Sequence, residues 1–247
     1  MNAALRFPRA CWRLLRVLAH IAQGLWTVAL RFPRLSPEQQ QARVHDWALG
    51  LLACAGVTLE VRGAPPSAAP ALLVANHVSW LDIPALHAVR YCRFIAKSDV
   101  RGWAIVGTLA TAAGTLYIER ASRRDALRMV ERMHQALLRG DVLAVFPEGT
   151  TGDGRTLLPF HANLLEAALT AGVPAQPVGL RFIERASGAA SDAPGYVGDD
   201  TLAGSIWRTL MAPPLVAVVR FGAAQRAEGR DRRAWSRDLH AEVDALR

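Results

Sequence analysis

The stretch Ala71-Leu72-Leu73-Val74-Ala75-Asn76-His77-Val78-Ser79-Trp80-Leu81-Asp82 sets an unbroken apolar run against an imidazole and a carboxylate five positions apart. A short continuous apolar run reads as a strand covered on both faces, of the kind found inside parallel sheets. A second run, Val142-Leu143-Ala144-Val145, leads into Phe146-Pro147-Glu148-Gly149-Thr150. Strand ends of α/β sheets are where ligands and chemistry collect. From residue 71 onward the chain alternates strand-like segments (71–75, 92–96, 114–118, 142–146, 175–181, 215–221) with helix-like ones (near 82–90, 101–112, 122–139, 161–171, 201–211, 232–246). Ser122 and Asp125 have capping-box spacing at the head of one helix, and Gly140 supplies its stop. The alternation predicts an α/β fold: a mixed, mostly parallel sheet flanked by helices.

Upstream of that body, Pro8 to Leu30 reads as one amphipathic helix. Leu14, Leu18, Ile21 and Leu25 form a stripe, and Arg6, Arg9, Arg13, Arg16 and Arg31 fall on another side, roughly 130° away. The most apolar part, Val17 to Leu30, is interrupted by His20, Gln23 and Gly24, whereas a bilayer span needs about 20 mainly apolar residues. The pattern suits a helix lying in a membrane interface with Trp12 and Trp26 at headgroup depth; packing on its own domain and a tilted span are the alternatives. Ser36-Pro37-Glu38 starts a second helix that runs to Gly56. The expected organisation is therefore a membrane-docking helical hairpin over 1–56, then an α/β domain over 57–247 that opens with a strand at 57–61.

The net charge of +8 rests almost wholly on arginine, Lys97 being the sole lysine. Such a balance suits anionic lipid at about 1 kcal/mol per basic residue near the surface, and the base composition of the source genome is the alternative reading. No recognition motif accompanies it, so nucleic acid is not expected as a partner. Cys11, Cys54 and Cys92 are scattered, in neither metal-ligand nor redox spacing. They indicate a reducing compartment, and no metal is expected.

His77 and Asp82 have two readings. Five residues on an ideal helix turn through about 140°, so the pair can meet only if His77 lies in the strand-to-helix turn and Asp82 in the first helical turn. Met in that way, the carboxylate fixes the imidazole tautomer and the other ring nitrogen serves as a base near neutrality. Alternatively Ser79 and Asp82 form a capping box and His77 is an ordinary turn histidine. Spacing alone serves both. Gly114-Thr115-Leu116-Tyr117-Ile118-Glu119-Arg120 reads as a strand that delivers Arg120 at its end, and Val173-Pro174-Ala175-Gln176-Pro177-Val178 as a proline-bounded buried strand. His161 begins a helix after Pro159 and reads as structural; His20, His45, His87, His134 and His240 have no carboxylate at telling spacing.

Four of these segments, in this order and each at a strand boundary, resemble the blocks of the glycerolipid acyltransferase family, of the 1-acylglycerol-3-phosphate acyltransferase type, over roughly residues 57–225. The resemblance implies a membrane-associated enzyme that moves a fatty acyl chain from a thioester to a lysolipid hydroxyl. His77 would take the hydroxyl proton and Asp82 would orient it. Arg120, Phe146, Pro147, Glu148, Gly149 and Thr150 would bind the acceptor. Acyl-carrier protein or coenzyme A would bring the acyl group, with no bound cofactor and no metal. The active site would face the cytoplasm at a bacterial inner membrane. The acceptor's own hydroxyl would be the nucleophile, in keeping with the lack of a Gly-x-Ser-x-Gly elbow.

Two departures bear on the acceptor. Thr151 stands where many such enzymes carry arginine, and Phe160-His161-Ala162-Asn163 lacks a lysine that many carry. Both remove positive charge where a phosphate is expected. Arg155 is a candidate substitute, and a lyso-ornithine lipid is the alternative acceptor. A thioester hydrolase and a non-catalytic lipid binder are the alternatives of other classes.

Overall fold

The computed structural model describes residues 6–119 and 122–247, with only the backbone of Arg123. Eight α-helices and seven strands follow in chain order: α1 (Arg6–Leu30), α2 (Pro37–Ala55), β1 (Val57–Arg62), β2 (Ala71–Ala75), α3 (Asp82–His87), β3 (Arg93–Lys97), α4 (Ala104–Ala112), β4 (Leu116–Ile118), α5 (Arg123–Leu138), β5 (Val142–Val145), α6 (Glu166–Ala171), β6 (Ala175–Glu184), α7 (Leu202–Met211), β7 (Leu215–Phe221) and α8 (Arg232–Leu246). The strands form one sheet in the order β1-β7-β6-β2-β5-β3-β4. Every neighbouring pair is parallel except β6 and β7, so β1 and β7 run against the other five.

β2, the strand that carries the His77 turn, is buried along its whole length and sits centrally between β5 and β6. Its side chains alternate between the two faces, as a period of two requires. Leu73 and Ala75 enter the core shared with α1, α2, α3 and α7; Leu72 and Val74 enter the core shared with α5, α6 and α8. This double burial explains why the sequence shows a solid apolar run rather than alternation.

The expected strand at 114–118 is shorter than its apolar pattern. Gly114 adopts φ 79°, and the Thr115 N–H donates back to the Ala110 carbonyl, so both residues close α4 and the strand starts at Leu116. The helix expected over 101–112 is likewise divided, a 3-10 turn at Ser98–Gly102 preceding α4.

α1 and α2 pack antiparallel. The His20 ring stacks on Trp47 at 5.3 Å, with His20 Nε2 on the Trp47 carbonyl and Trp47 Nε1 donating to the His20 carbonyl. Gly24 and Gly50 permit that approach, since a Cβ on either would sit within 2.5 Å of the opposing ring. The hairpin shares its core with the sheet through Ala10, Val17, Ala48, Leu51, Leu52 and Ala55. The arginine side of α1 does not face outward as a whole. Arg13 is buried and donates to the carbonyls of Leu210 (3.0 Å) and Ala212 (2.9 Å), and Arg9 also donates to Ala212 (3.0 Å). These guanidiniums satisfy the open C-terminal carbonyls of α7. Turning that side inward leaves an apolar one outside: Trp12 is 62% exposed and Leu15 61%, alongside Leu18 and Trp26. Among the described residues, no helix is long and apolar enough to cross a membrane.

Candidate active site

Where β2 ends, Asn76 replaces the next rung of the sheet with its side chain. Its Nδ2 donates to the Leu180 carbonyl (2.9 Å) and its Oδ1 accepts the Leu180 N–H (2.7 Å). The main chain is thereby released from the ladder and turns. His77 lies in that turn, and Asp82 opens α3 five residues on. A single carboxylate oxygen, Asp82 Oδ2, accepts from His77 Nδ1 (2.8 Å), the Val78 N–H (2.7 Å) and the Ser79 N–H (2.9 Å). The same oxygen therefore ties the main chain of the turn and holds the ring, while the Ser79 hydroxyl donates to the Pro194 carbonyl and accepts the Leu81 N–H, so no capping box closes at α3. With Nδ1 donating to a carboxylate, a neutral His77 presents Nε2 as its acceptor nitrogen. Asp82 is completely buried, and its second oxygen has no partner among the described residues.

The segment after β5 grips the same turn. Phe146 stacks on the His77 ring with centroids 4.0 Å apart, and itself stacks on Phe94. Pro147 is buried, and its carbonyl accepts the His161 N–H (2.8 Å). Gly149 turns the chain with φ 74°, and Thr150 is exposed beyond it. Glu148, expected at the acceptor, is bound to the main chain through both carboxylate oxygens. Its buried carboxylate accepts the His77 N–H (2.7 Å) through Oε1 and the Leu158 N–H (2.9 Å) through Oε2. Burial pushes its pKa up, against the opposing pull of those two N–H groups. The Gly152 N–H donates to the His77 carbonyl (2.7 Å). Both main-chain polar groups of His77 are thus held from one loop. Arg120 lies outside the described residues.

A cavity of about 660 Å³ opens beside His77, Phe146 and Gly149 and runs between α1, α2 and α4. Trp26, Trp80, Ile105, Val106 and Leu109 line it, so its surface is mainly apolar. His87 stands in its wall with its ring edge-on to Phe94; burial lowers its pKa to about 4 and leaves it neutral at ordinary pH. The volume falls in the range of small-molecule sites.

Residues 58–181 match the family model described as Acyltransferase. A lyso-ornithine lipid O-acyltransferase of Pseudomonas aeruginosa is 40% identical over 209 residues, which is 82% of this chain and 79% of that protein. The chain belongs to the acyltransferase family. A 1-acyl-sn-glycerol-3-phosphate acyltransferase of Neisseria meningitidis is 36% identical, over 85% of this chain and 82% of the relative. The crystal structure of a 1-acyl-sn-glycerophosphate acyltransferase from Thermotoga maritima matches all of this chain and 98% of its own, with TM-score 0.67 at 18% identity, and shows the shared fold.

The acyltransferase also has a wall that spacing along the sequence did not disclose. The connection from β6 to α7 lies across the His77 turn. Gly195 bridges to Ser79, whose hydroxyl donates to the Pro194 carbonyl (2.7 Å). Ser205 donates to that same carbonyl (3.1 Å), and the Thr151 hydroxyl donates to the Tyr196 carbonyl. Arg155 reaches across to Asp192 at 2.7 Å. Glycine and proline at 194–195 mark a turn, but their spacing from residue 79 carries no signal. Asn76 was open to detection, as a polar residue directly after a fully apolar strand.

Proposed function

We propose that this acyltransferase moves a fatty acyl chain from an acyl thioester, carried by acyl-carrier protein or coenzyme A, to the free hydroxyl of a lysolipid. The observation that carries the reading is the 2.8 Å contact between His77 Nδ1 and Asp82 Oδ2 at the mouth of an apolar cavity. His77 Nε2 takes the acceptor's hydroxyl proton as that oxygen attacks the thioester carbonyl. The C–O bond forms, the C–S bond breaks, and the imidazolium returns the proton to the departing thiolate. Asp82 stabilises the imidazolium between those two events. The acyl chain occupies the cavity, while Phe146, Pro147, Gly149, Thr150 and Arg120 frame the acceptor. Glu148 acts on His77 rather than on the acceptor. No bound cofactor takes part.

The first acceptor to test is 1-acylglycerol-3-phosphate. The second, lyso-ornithine lipid, is favoured by Thr151, whose hydroxyl is spent on a main-chain carbonyl where a phosphate-binding arginine was expected. Detergent-purified protein is given a labelled acyl thioester with each acceptor separately, beside His77→Ala. Product that falls at least about a thousandfold in the variant is expected. Free fatty acid formed without acceptor would show a hydrolase, and no His77-dependent product from any acceptor would overturn the reading.

The exposed apolar side of α1, with Trp103 and Ile105 at the head of α4, is the proposed docking face on the cytoplasmic side of a bacterial inner membrane. Residues 6–55 form a hairpin that shares the body's core, so deleting residues 1–56 would strip Leu51 and Leu52 at about 1.5–3 kcal/mol each. Point substitution is the cleaner test. Trp12→Ser with Leu15→Ser is expected to lower flotation with anionic liposomes about tenfold while the melting temperature holds. Undiminished flotation would refute the docking face.

A further inference from the structure

We propose that Arg155 and Asp192 read the acceptor's head group as a pair, which selects a zwitterionic amino-acid head group bearing one ammonium and one carboxylate. The proposal rests on the acyl-transfer reading and adds its specificity. Both residues hang from segments tied directly to the His77 turn. Arg155 follows Gly152, whose N–H holds the His77 carbonyl, and Gly154, which lies over Val78. Asp192 precedes Gly195, which bridges to Ser79 and donates its N–H to the Asp192 carbonyl (3.0 Å). The pair therefore sits beside the catalytic turn, open to solvent on both side chains.

Charge balance decides which head group fits. Arg155 and Asp192 meet at 2.7 Å, and the two arginines that donate to the Gly195 and Gly154 carbonyls are matched as well: Arg208 with Asp200 at 2.7 Å, and Arg247 with Asp244. Asp192 also holds the Arg155 guanidinium above its usual pKa. A phosphate monoester, which carries nearly two negative charges, would meet Asp192 as a like charge. An amino-acid head group meets it differently. Its carboxylate takes the Arg155 fork, its ammonium takes Asp192, and each protein charge exchanges one partner for another. The Asp153 carboxylate accepts the Arg155 and Thr156 N–H groups (2.8 and 3.0 Å), which holds the base of the arginine in place.

The test compares kcat/KM for lyso-ornithine lipid, its side-chain N-acetyl derivative, its carboxylate methyl ester and 1-acylglycerol-3-phosphate, each corrected with His77→Ala. Wild-type protein is expected to discriminate against each blocked lipid by about fivefold, the scale of an exposed ion pair. Asp192→Asn should abolish discrimination against the N-acetyl lipid and keep it against the ester; Arg155→Gln should do the reverse. Loss of both discriminations in either variant would make the pair a structural tie. Equal use of blocked and unblocked lipids, or transfer to 1-acylglycerol-3-phosphate alone, would overturn the proposal and leave acyl transfer standing. Absence of His77-dependent product with every acceptor would overturn acyl transfer itself.

Discussion

On the α3 side of His77, the polar contacts are buried and most of their donors are main-chain N–H groups; Asp82 is fully covered. On the opposite side, toward Asp192–Tyr196, the buried hydroxyls of Ser79 and Ser205 hold the Pro194 carbonyl, and one exposed pair, Arg155 with Asp192, is added at the surface. A contact made by backbone survives most substitutions around it, and burial raises its strength. An exposed pair is weak and can be replaced one side chain at a time. The contrast teaches where a fold keeps its chemistry constant and where it lets the choice of substrate drift.

The sharpest break comes at Asp82. Asp82→Asn can keep all three N–H donors on its remaining oxygen and place its amide nitrogen where the second oxygen has no partner. Folding stability should hold while kcat falls on the order of a hundredfold, because a neutral amide does not stabilise the imidazolium. Asp82→Ala should instead leave buried donors unpaired and lower unfolding stability by about 3 kcal/mol, read by denaturant titration. A kcat near wild type in Asp82→Asn would dissolve the distinction between the two sides.

Glu148→Gln comes next. One of its two N–H partners would then face an amide N–H, so the grip on His77 should loosen and kcat should fall about tenfold with KM little changed. Burial raises the Glu148 pKa, so wild-type protonation sets in at higher pH than for an ordinary glutamate. Activity should decline as pH falls through that raised value, and this acid limb should flatten in the glutamine variant. A rise in KM alone would return Glu148 to the acceptor. The smallest effect belongs to the exposed side: Asp192→Asn should leave the denaturant midpoint close to wild type. A clear drop would mean that the pair holds the wall together.

Much of this was legible in the sequence, for reasons that differ by element. β2 and β5 announce themselves because double burial leaves no polar position in them. The His77–Asp82 pair was legible through the company of the other family-like segments, since its spacing alone served a capping box equally well. The antiparallel placement of β7 and β1 was not, since periodicity says nothing of neighbours in a sheet. Nor was the inward turn of Arg9 and Arg13. Periodicity gives α1 two sides but not which one the sheet claims, and what drew the arginines in is the open carbonyl end of α7, nearly two hundred residues away. The tie between Thr151 and Tyr196 escaped for the same reason, being a contact between loops with no shared repeat.

Arg13 has a mechanical consequence. A helix resting on a surface by greasy contacts alone can roll about its own axis, and its burden would then ride at a variable height. The two bonds from this guanidinium to Leu210 and Ala212 act as a key in a shaft. With α1 locked in rotation, Trp12 and Leu15 keep one bearing relative to His77, and its ring stays at a set altitude above whatever plane those side chains settle on.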